Sequence, residues 1–160
     1  MALRWLTTKS HVAFVLDFGA GRGRDAIASV VRGVLGLSGD APVASAAQGA
    51  VSEADLAFVC DLAGDALPDA DQPRFESMDD AAHCAGRKRA LRALLRSRAN
   101  GRPTLLLIED VHWADAETLG LLATIAGTTS DAPLLLLLTS RRDGFPIDAE
   151  FPNYPPFQPD

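Results

Sequence analysis

The sequence predicts an α/β domain in which a parallel sheet is covered by helices on both faces, forming a three-layer sandwich. Two short apolar runs, Thr104–Ile108 and Leu134–Thr139, carry most of this prediction. Each run follows a proline, and neither alternates between apolar and polar residues. Runs of this length and character are typical of central strands in a parallel sheet.

The segment between these runs predicts a helix that joins them. Asp115 is a suitable N-cap, because its carboxylate can accept a hydrogen bond from a backbone N–H of the first turn. Leu119, Leu122 and Ala126 recur at helical spacing, and Gly127 is a plausible end of the helix. A strand, a helix and a second strand in this order form a βαβ unit, for which a right-handed crossover is expected.

The upstream half predicts further elements of the same domain. His11–Leu16 is a predicted strand, followed by a glycine-rich turn over Phe18–Arg24 and an amphipathic helix over Ile27–Leu37. Two more helices are predicted over Glu53–Leu67 and Asp79–Arg98, with Ser38–Ser52 as a loop and Asp69–Pro73 as a turn. The predicted organisation is an N-terminal extension over 1–10, one domain over 11–142 and a proline-rich tail over 143–160.

Size and charge narrow the possible functions. The chain has 160 residues, enough for one domain, and 48% of them are hydrophobic, enough to form a core. Its net charge of −6 argues against a general nucleic-acid binder. The longest apolar run is far shorter than the ~20 residues of a membrane helix, and no secretory signal is visible. Cys60 and Cys84 match no metal spacing. We therefore expect a cytoplasmic protein without membrane attachment.

The predicted helix over 79–98 carries a basic cluster that needs an interpretation. Basic side chains of this kind can contact phosphate groups. A solvated helix face is the more frequent arrangement, and it is the one expected here. The cluster consists of Arg87, Lys88, Arg89, Arg92 and Arg96.

Two adjacent acids, Glu109 and Asp110, end the apolar strand over 104–108. The carboxyl edge of a parallel sheet is where open α/β folds bind their ligands. In phosphoryl-transfer sites, one carboxylate at such an edge holds Mg²⁺ and a neighbouring one orients the attacking water. A bare pair of acids can equally end a strand in solvent, so the surrounding residues have to decide between the two interpretations.

The surrounding residues resemble a known family. Glu109–Asp115 reads Glu-Asp-Val-His-Trp-Ala-Asp, and a helix and the run Leu134–Arg141 follow it. This pattern resembles the Walker B to sensor 1 stretch of AAA-like/STAND P-loop ATPase modules in LuxR-type regulators and class III adenylate/guanylate cyclases. Val15–Ile27, Ser77–Ala81 and Gly86–Arg89 are similar to the cyclase-associated branch. The resemblance spans roughly residues 11 to 148 and implies a partial P-loop fold.

The resemblance also implies a site, with ATP and Mg²⁺ as cofactors. Glu109 takes the Mg²⁺-associated Walker B position, and Asp110 that of the catalytic, water-orienting acid, with both as metal ligands. Glu in first place departs from the usual order, which leaves the division of roles open. Thr139 or Ser140 would be the sensor 1 group, and Arg141 could add positive charge near the γ-phosphate. Three further residues of the pattern are interpreted structurally: Trp113 as packing, Asp115 as the helix cap and His112 as a surface or supporting group.

A required motif is missing from the chain. P-loop ATPases cradle the phosphates with Gly-x-x-x-x-Gly-Lys-Ser/Thr, and no such run occurs here, where Lys9 and Lys88 are the only lysines. The family's first strand would adjoin the strand over 134–139. We therefore expect a truncated domain, or one that starts upstream, with an open apolar edge, a tendency to self-associate, and weak or no ATPase activity alone.

Two alternatives remain open at this point. Val15–Gly23 also resembles the first motif of class I methyltransferases, in which a glycine turn approaches S-adenosylmethionine. That site needs a second strand about 20 residues further on, ending in an acid, and only the loop-like Asp40 is available. The other alternative is a non-catalytic interaction fragment that pairs with a partner, such as an effector domain, through its open strand edge.

Overall fold

The strands form one mixed sheet. A computed structural model describes residues 4–8, 11–17, 23–100 and 102–140, with the backbone alone described at 4–8, 11–17 and 23–25. Within these ranges the sheet order is β1-β2-β3-β4. β1 pairs with β2 antiparallel, and β2, β3 and β4 are parallel. The bounds are Arg4–Thr8 for β1, His11–Asp17 for β2, Thr104–Glu109 for β3 and Leu134–Leu138 for β4.

The three strands that the sequence predicts are present and are parallel neighbours in the sheet. Their bounds lie within one residue of the predicted ones at each end. β1 was not predicted, because it lies in the segment that the sequence assigned to an N-terminal extension. Most of the predicted glycine turn, the proline-rich tail and Arg141 lie outside the described residues.

The helices follow the predicted order with several changes. α2 and α4 replace a predicted loop and turn, and α3 ends five residues earlier than predicted. Gly64 ends α3: it lies at φ +67°, its N–H donates to the carbonyl of Asp61, and the N–H of Asp65 donates to that of Cys60. This is the Schellman arrangement, which favours glycine. The bounds are α1 Gly23–Val34, α2 Val43–Ala47, α3 Glu53–Leu62, α4 Gln72–Glu76, α5 Asp80–Ala99, a 3₁₀ turn Val111–Trp113, and α6 Ala116–Thr128.

The described helices cover one face of the sheet. The connections from β2 to β3 and from β3 to β4 step in the same direction, and right-handed crossovers then place their helices on the same side. On that side Leu106 and Ile108 of β3 are fully buried. Leu135 and Leu137 of β4 alternate with the covered positions and are 65% and 52% exposed. The face of β4 that carries Leu135 and Leu137 is thus not covered by the described helices, and the three-layer sandwich stays a prediction.

The core lies between this face and a layer built from α1, α3, α5 and α6. α5 is its central helix and contacts each of the other three. The prediction that Leu91, Leu94 and Leu95 point inward is confirmed, since each is at most 1% exposed. Within the described ranges, no helix has both the length and the apolar character of a membrane span.

Two arginines of the basic cluster on α5 are paired with acids of neighbouring helices. Arg87 Nε donates to Asp61 Oδ2 at 2.5 Å, and the same guanidinium contacts Glu117. Arg89 Nε donates to Asp55 Oδ1 at 2.7 Å. For Arg87, whose side chain is only 16% exposed, the predicted solvated face is wrong. Its partners lie on α3 and α6, and the spacing of residues along α5 does not reveal them.

Candidate nucleotide site

The strand β3 ends in an unusual backbone conformation. Asp110 has φ 56° and ψ 39°, the left-handed region, in which a short polar residue is tolerated better than a bulky one. This residue turns the chain out of β3 and into the 3₁₀ turn Val111–Trp113. Glu109 is the last residue of β3 and lies in register with Asp17, the last residue of β2. The two candidate acids therefore stand at the carboxyl edge of the parallel strands.

Thr139, the residue that follows β4, stabilises this turn through hydrogen bonds. The backbone N–H of Asp110 donates to Oγ1 of Thr139 at 3.3 Å, and the N–H of Val111 donates to the carbonyl of Thr139 at 3.0 Å. In return, the N–H of Thr139 donates to the carbonyl of Ile108 at 3.0 Å. These bonds extend the β3–β4 pairing by one residue. They bring the predicted acids and one of the predicted sensor residues together.

The structure says less about Ser140 and Arg141, the other two residues that the sequence predicts near the γ-phosphate. Ser140 follows Thr139 and is exposed. The side chain of Thr139 bonds to the Asp110 turn. Arg141 lies outside the described residues.

Three residues were given structural interpretations from the sequence, and they differ in their surroundings. Asp115 caps α6, since its Oδ1 accepts from the N–H of Thr118 at 2.8 Å, as predicted. Trp113 is 57% exposed, so the prediction that it packs into the protein is wrong. The open 3₁₀ turn directs this ring outward, where the imidazole of His112 is 5.1 Å away between centroids. His112 Nδ1 lies 3.7 Å from Oδ1 of Asp110.

The donor set fits Mg²⁺ better than a metal that needs several protein ligands. Glu109 and Asp110 offer carboxylate oxygens, and the Asp110 side chain is 40% exposed. No group of three or more His, Cys, Asp and Glu side chains in the described ranges is arranged to hold a metal. Mg²⁺ takes one or two carboxylates, retains water and fills its remaining positions with phosphate oxygens.

A cleft of about 630 Å³ lies between α1, α3, α5 and α6. Asp61, Asp65 and Glu117 line it together with Arg87, which pairs with two of these carboxylates. The hydrogen bond from the backbone N–H of Val43 is the main reason that the pKa of Asp65 is lowered. The charged lining is therefore net negative, which disfavours a polyphosphate in this cleft.

The region between the first helix and β3 bears on the methyltransferase alternative. That site needs a second strand after the first helix, ending in an acid. Between residues 26 and 100, all of which are described, the regular elements are helices, and Gln48 and Val51 form an isolated bridge. The half-site that would bind the ribose is thus missing from this segment.

Comparison with known proteins identifies a family. A family model described as AAA ATPase domain matches residues 5–137, which is most of the chain. No curated protein and no solved structure matches it. The matched span runs from the second residue of β1 to the last but one of β4 and contains both candidate acids.

Proposed function

Because this chain belongs to the AAA ATPase domain family, we propose that it is a Mg·ATP-binding regulatory module of a cytoplasmic signal-transduction protein. The resemblance described above favours a module associated with a cyclase or a LuxR-type transcription regulator. The observation that carries the proposal is the bond from the Asp110 backbone N–H to Thr139 Oγ1, which holds the acids beside a hydroxyl at the sheet edge.

Each residue of the site has a proposed role. Glu109 and Asp110 hold Mg²⁺, which would neutralise charge on the phosphate oxygens when bound. Asp110 also orients the attacking water, since its carboxylate is accessible and lies at the turn out of β3. Thr139 or Ser140 contacts the terminal phosphate, and Arg141 adds positive charge for it.

The phosphate cradle sets the limit on activity. The sequence has no Gly-x-x-x-x-Gly-Lys-Ser/Thr run, and this motif supplies the backbone N–H groups and the lysine that bind the phosphates. We expect the 160-residue chain alone to bind ATP weakly and to hydrolyse essentially none. A cradle supplied by a longer polypeptide or a partner would complete the site, and the nucleotide would then bias contacts with an effector domain.

A binding titration tests the proposal. A fluorescent ATP analogue is titrated into the purified chain with and without Mg²⁺, in wild type and in the double variant Glu109→Gln, Asp110→Asn. We expect weak, Mg²⁺-dependent binding that the double variant loses. The matched control is Asp40→Asn, Asp69→Asn, which removes the same charge from two exposed loop carboxylates.

Three results would contradict this proposal. Equal loss of binding in the control would mean that overall charge, and not the site, governs affinity. Mg²⁺-independent binding that S-adenosylmethionine displaces would favour the methyltransferase alternative. A Mg·ATP dissociation constant in the low micromolar range would show that the 160 residues need no cradle.

A second candidate function is supported by the exposed leucines of β4. Leu135 and Leu137 are more than half exposed, and β4 is the last strand of the described sheet. An uncharged apolar edge strand is a template for pairing with another strand. We propose as the alternative a non-catalytic module that pairs through β4 with a second copy or with a partner that carries a P-loop.

Light scattering at increasing concentration tests this alternative. A wild type that dimerises, together with a monomeric Leu135→Lys, Leu137→Lys variant, would support it. The control is Lys substitution of Ala81 and Ala85, which are exposed on α5. A monomeric wild type at high concentration would argue against self-pairing, and mixing with a P-loop-bearing domain would then test the heterologous form.

A further inference from the structure

The imidazole of His112 is a buried polar group without a partner. Neither Nδ1 nor Nε2 is accessible to solvent, and neither has a hydrogen-bond partner in the described structure. Leaving a buried N–H unpaired is unfavourable, and a native protein rarely tolerates it without a reason. His112 stands in the 3₁₀ turn beside the candidate acids. An explanation for its unpartnered nitrogens therefore concerns that site.

The nearest acidic oxygen is Oδ1 of Asp110, 3.7 Å from Nδ1. This distance is too long for a hydrogen bond, but it is within one small side-chain adjustment of a bond. The two side chains differ in freedom, because the His112 side chain is 16% exposed and that of Asp110 is 40% exposed. A rotation of the Asp110 carboxylate toward a fixed imidazole is a small movement that would give Nδ1 an acceptor.

The backbone explains why these side chains meet. In an extended strand, residues two apart lie on the same face but are separated by nearly 7 Å. The left-handed conformation at Asp110 and the tight turn after it shorten that separation. Bonds from the N–H groups of Asp110 and Val111 to Thr139 hold the turn in this form.

We propose that His112 is a positioning residue for Asp110. The N–H at Nδ1 donates to Oδ1 of Asp110, fixes the plane of the carboxylate, and leaves Oδ2 free for a cation or a water. The bond also selects one tautomer of the neutral imidazole, with the proton on Nδ1 and the lone pair on Nε2. The consequence for ligand binding rests on the proposed function, but the His112–Asp110 bond itself does not.

Nitrogen NMR of the ligand-free chain tests the bond directly. Long-range proton–nitrogen spectra of ¹⁵N-histidine protein, recorded near pH 8 where model imidazoles are neutral, distinguish the two tautomers. We expect the Nδ1–H tautomer for His112 in wild type and a shift to Nε2–H in Asp110→Ala. The imidazole of His83 packs against Phe75 in the helical layer, so its unchanged signals would show that the variant is folded. An Nε2–H tautomer in wild type, or no change in Asp110→Ala, would overturn the proposal.

Two substitutions of His112 test the consequence. An Asn side chain places its amide nitrogen close to the position of Nδ1, whereas a Gln side chain places it close to Nε2. We expect His112→Asn to retain Mg²⁺-dependent binding of the ATP analogue and His112→Gln to weaken it about 10-fold or more, as for groups that orient metal ligands. Equal weakening in both variants would mean that the ring contributes only packing. Binding is followed by the fluorescence of Trp113, which adjoins His112. All of these proteins also carry Trp5→Phe, which removes the signal of the second tryptophan.

The two proposals fail in different ways. Suppose that neither wild type nor any variant binds the ATP analogue, while the His112 tautomer shifts in Asp110→Ala. The proposed function then fails, and the positioning of Asp110 by His112 stands. If wild type binds Mg·ATP but the tautomer does not depend on Asp110, the function stands and the role of His112 is wrong.

Discussion

The backbone N–H of Asp110 donates to Oγ1 of Thr139 across the ends of two parallel strands, at 3.3 Å. The two residues are 29 positions apart in the sequence, and the pairing of β3 with β4 brings them together. The bond makes the end of β3, the turn after it and the segment after β4 one local unit. The geometry of the candidate acids is thus coupled to a hydroxyl on a neighbouring strand.

Substitution of Thr139 tests this coupling. Thr139→Val keeps the shape of the side chain but removes the acceptor, so the N–H of Asp110 loses its partner. We expect a loss of about 1 kcal/mol in the free energy of unfolding, measured by urea titration, and weaker Mg²⁺-dependent nucleotide binding. Thr139→Ser keeps the hydroxyl and should behave as wild type in binding. Equal effects of Val and Ser on binding would show that the hydroxyl is not involved.

Gly86 is predicted to be a packing requirement of the helical layer. A Cβ at this position would lie within 3.0 Å of three ring atoms of Phe58, which is itself buried and packs against Phe75 at 4.9 Å between centroids. Overpacking of this kind costs about 1–3 kcal/mol, more than the roughly 0.5–1 kcal/mol that Ala gains over Gly in a helix. Gly86→Ala should therefore lower the midpoint of urea unfolding.

The control for this prediction is a helical glycine with space around it. At Gly120 of α6, a Cβ would meet only the end of Lys88, at 3.5 Å. Gly120→Ala should be neutral or stabilising, because helix propensity is then the main effect. A result in which both variants stabilise the protein would contradict the packing argument for Gly86.

The parts of the fold that could be predicted are those that local patterns determine. The apolar runs fix β3 and β4 to within one residue, and Asp115 caps α6 because its capping bond lies within one turn. The early end of α3 could also have been predicted, since Gly64 is a helix-ending signal in the sequence. Covering of the sheet by helices on both faces was inferred from uninterrupted leucines, but an apolar run does not reveal which face is covered.

The residues of the candidate site also divide into those that a local pattern reveals and those that depend on packing. Glu109 and Asp110 stand out because they end an apolar strand, and their position is a local property of the sequence. The choice between Thr139 and Ser140 depends on strand register, which the sequence alone leaves open. The pairing of Arg87 with Asp61 and Glu117 and the burial of His112 depend on how distant helices and turns pack, so no local pattern could reveal them.

Arg87 is predicted to be a stabilising link between three helices. Its guanidinium on α5 bonds to Asp61 on α3 and to Glu117 on α6, and the bond to Asp61 is the main reason that its pKa is raised. Arg87→Met leaves the half-buried Asp61 without its cation. Loss of a hydrogen bond to a charged group costs about 1.5–3 kcal/mol, and we expect a loss of that size in urea unfolding.

A solvated arginine of the same helix is the control for Arg87. Arg96 is 55% exposed and 3.9 Å from Asp131, a pair that contributes little in water. Arg96→Met should change the free energy of unfolding by about 0.5 kcal/mol or less. If the two variants lost equal stability, the network around Arg87 would have no special role.

The two cysteines are predicted to differ in reactivity. Cys60 is fully buried in α3, and burial, together with the nearby charges of Asp65 and Asp71, raises the pKa of its thiol to about 11. Cys84 is exposed on α5. Since the thiolate is the reactive form, a thiol reagent should label one cysteine rapidly in the native protein and the second only after unfolding. Rapid labelling of Cys84→Ser would contradict the burial of Cys60.

Asp65 is predicted to contribute to the acid sensitivity of the fold. Its carboxylate accepts from the N–H of Val43 at 2.8 Å and from the N–H of Ala66 at 3.0 Å, and these bonds together with the charge of Arg32 lower its pKa. A carboxyl whose pKa is lower in the folded state stabilises the protein above its unfolded pKa of about 3.9. This stabilisation is lost as the pH falls through the lower, folded pKa.

The variant Asp65→Asn removes the titrating carboxyl. Its melting temperature should therefore fall less steeply than that of wild type as the pH decreases. In wild type, the melting temperature should fall as the pH decreases below about 4, where Asp65 takes up its proton in the unfolded state first. The difference in melting temperature between wild type and Asp65→Asn should therefore be largest near neutral pH and shrink in acid. Asp69→Asn, at an exposed carboxylate of the same loop, is the control and should leave the wild-type profile unchanged. A difference that stayed constant from neutral pH to about pH 2 would show that the hydrogen bonds of Asp65 do not depend on its charge.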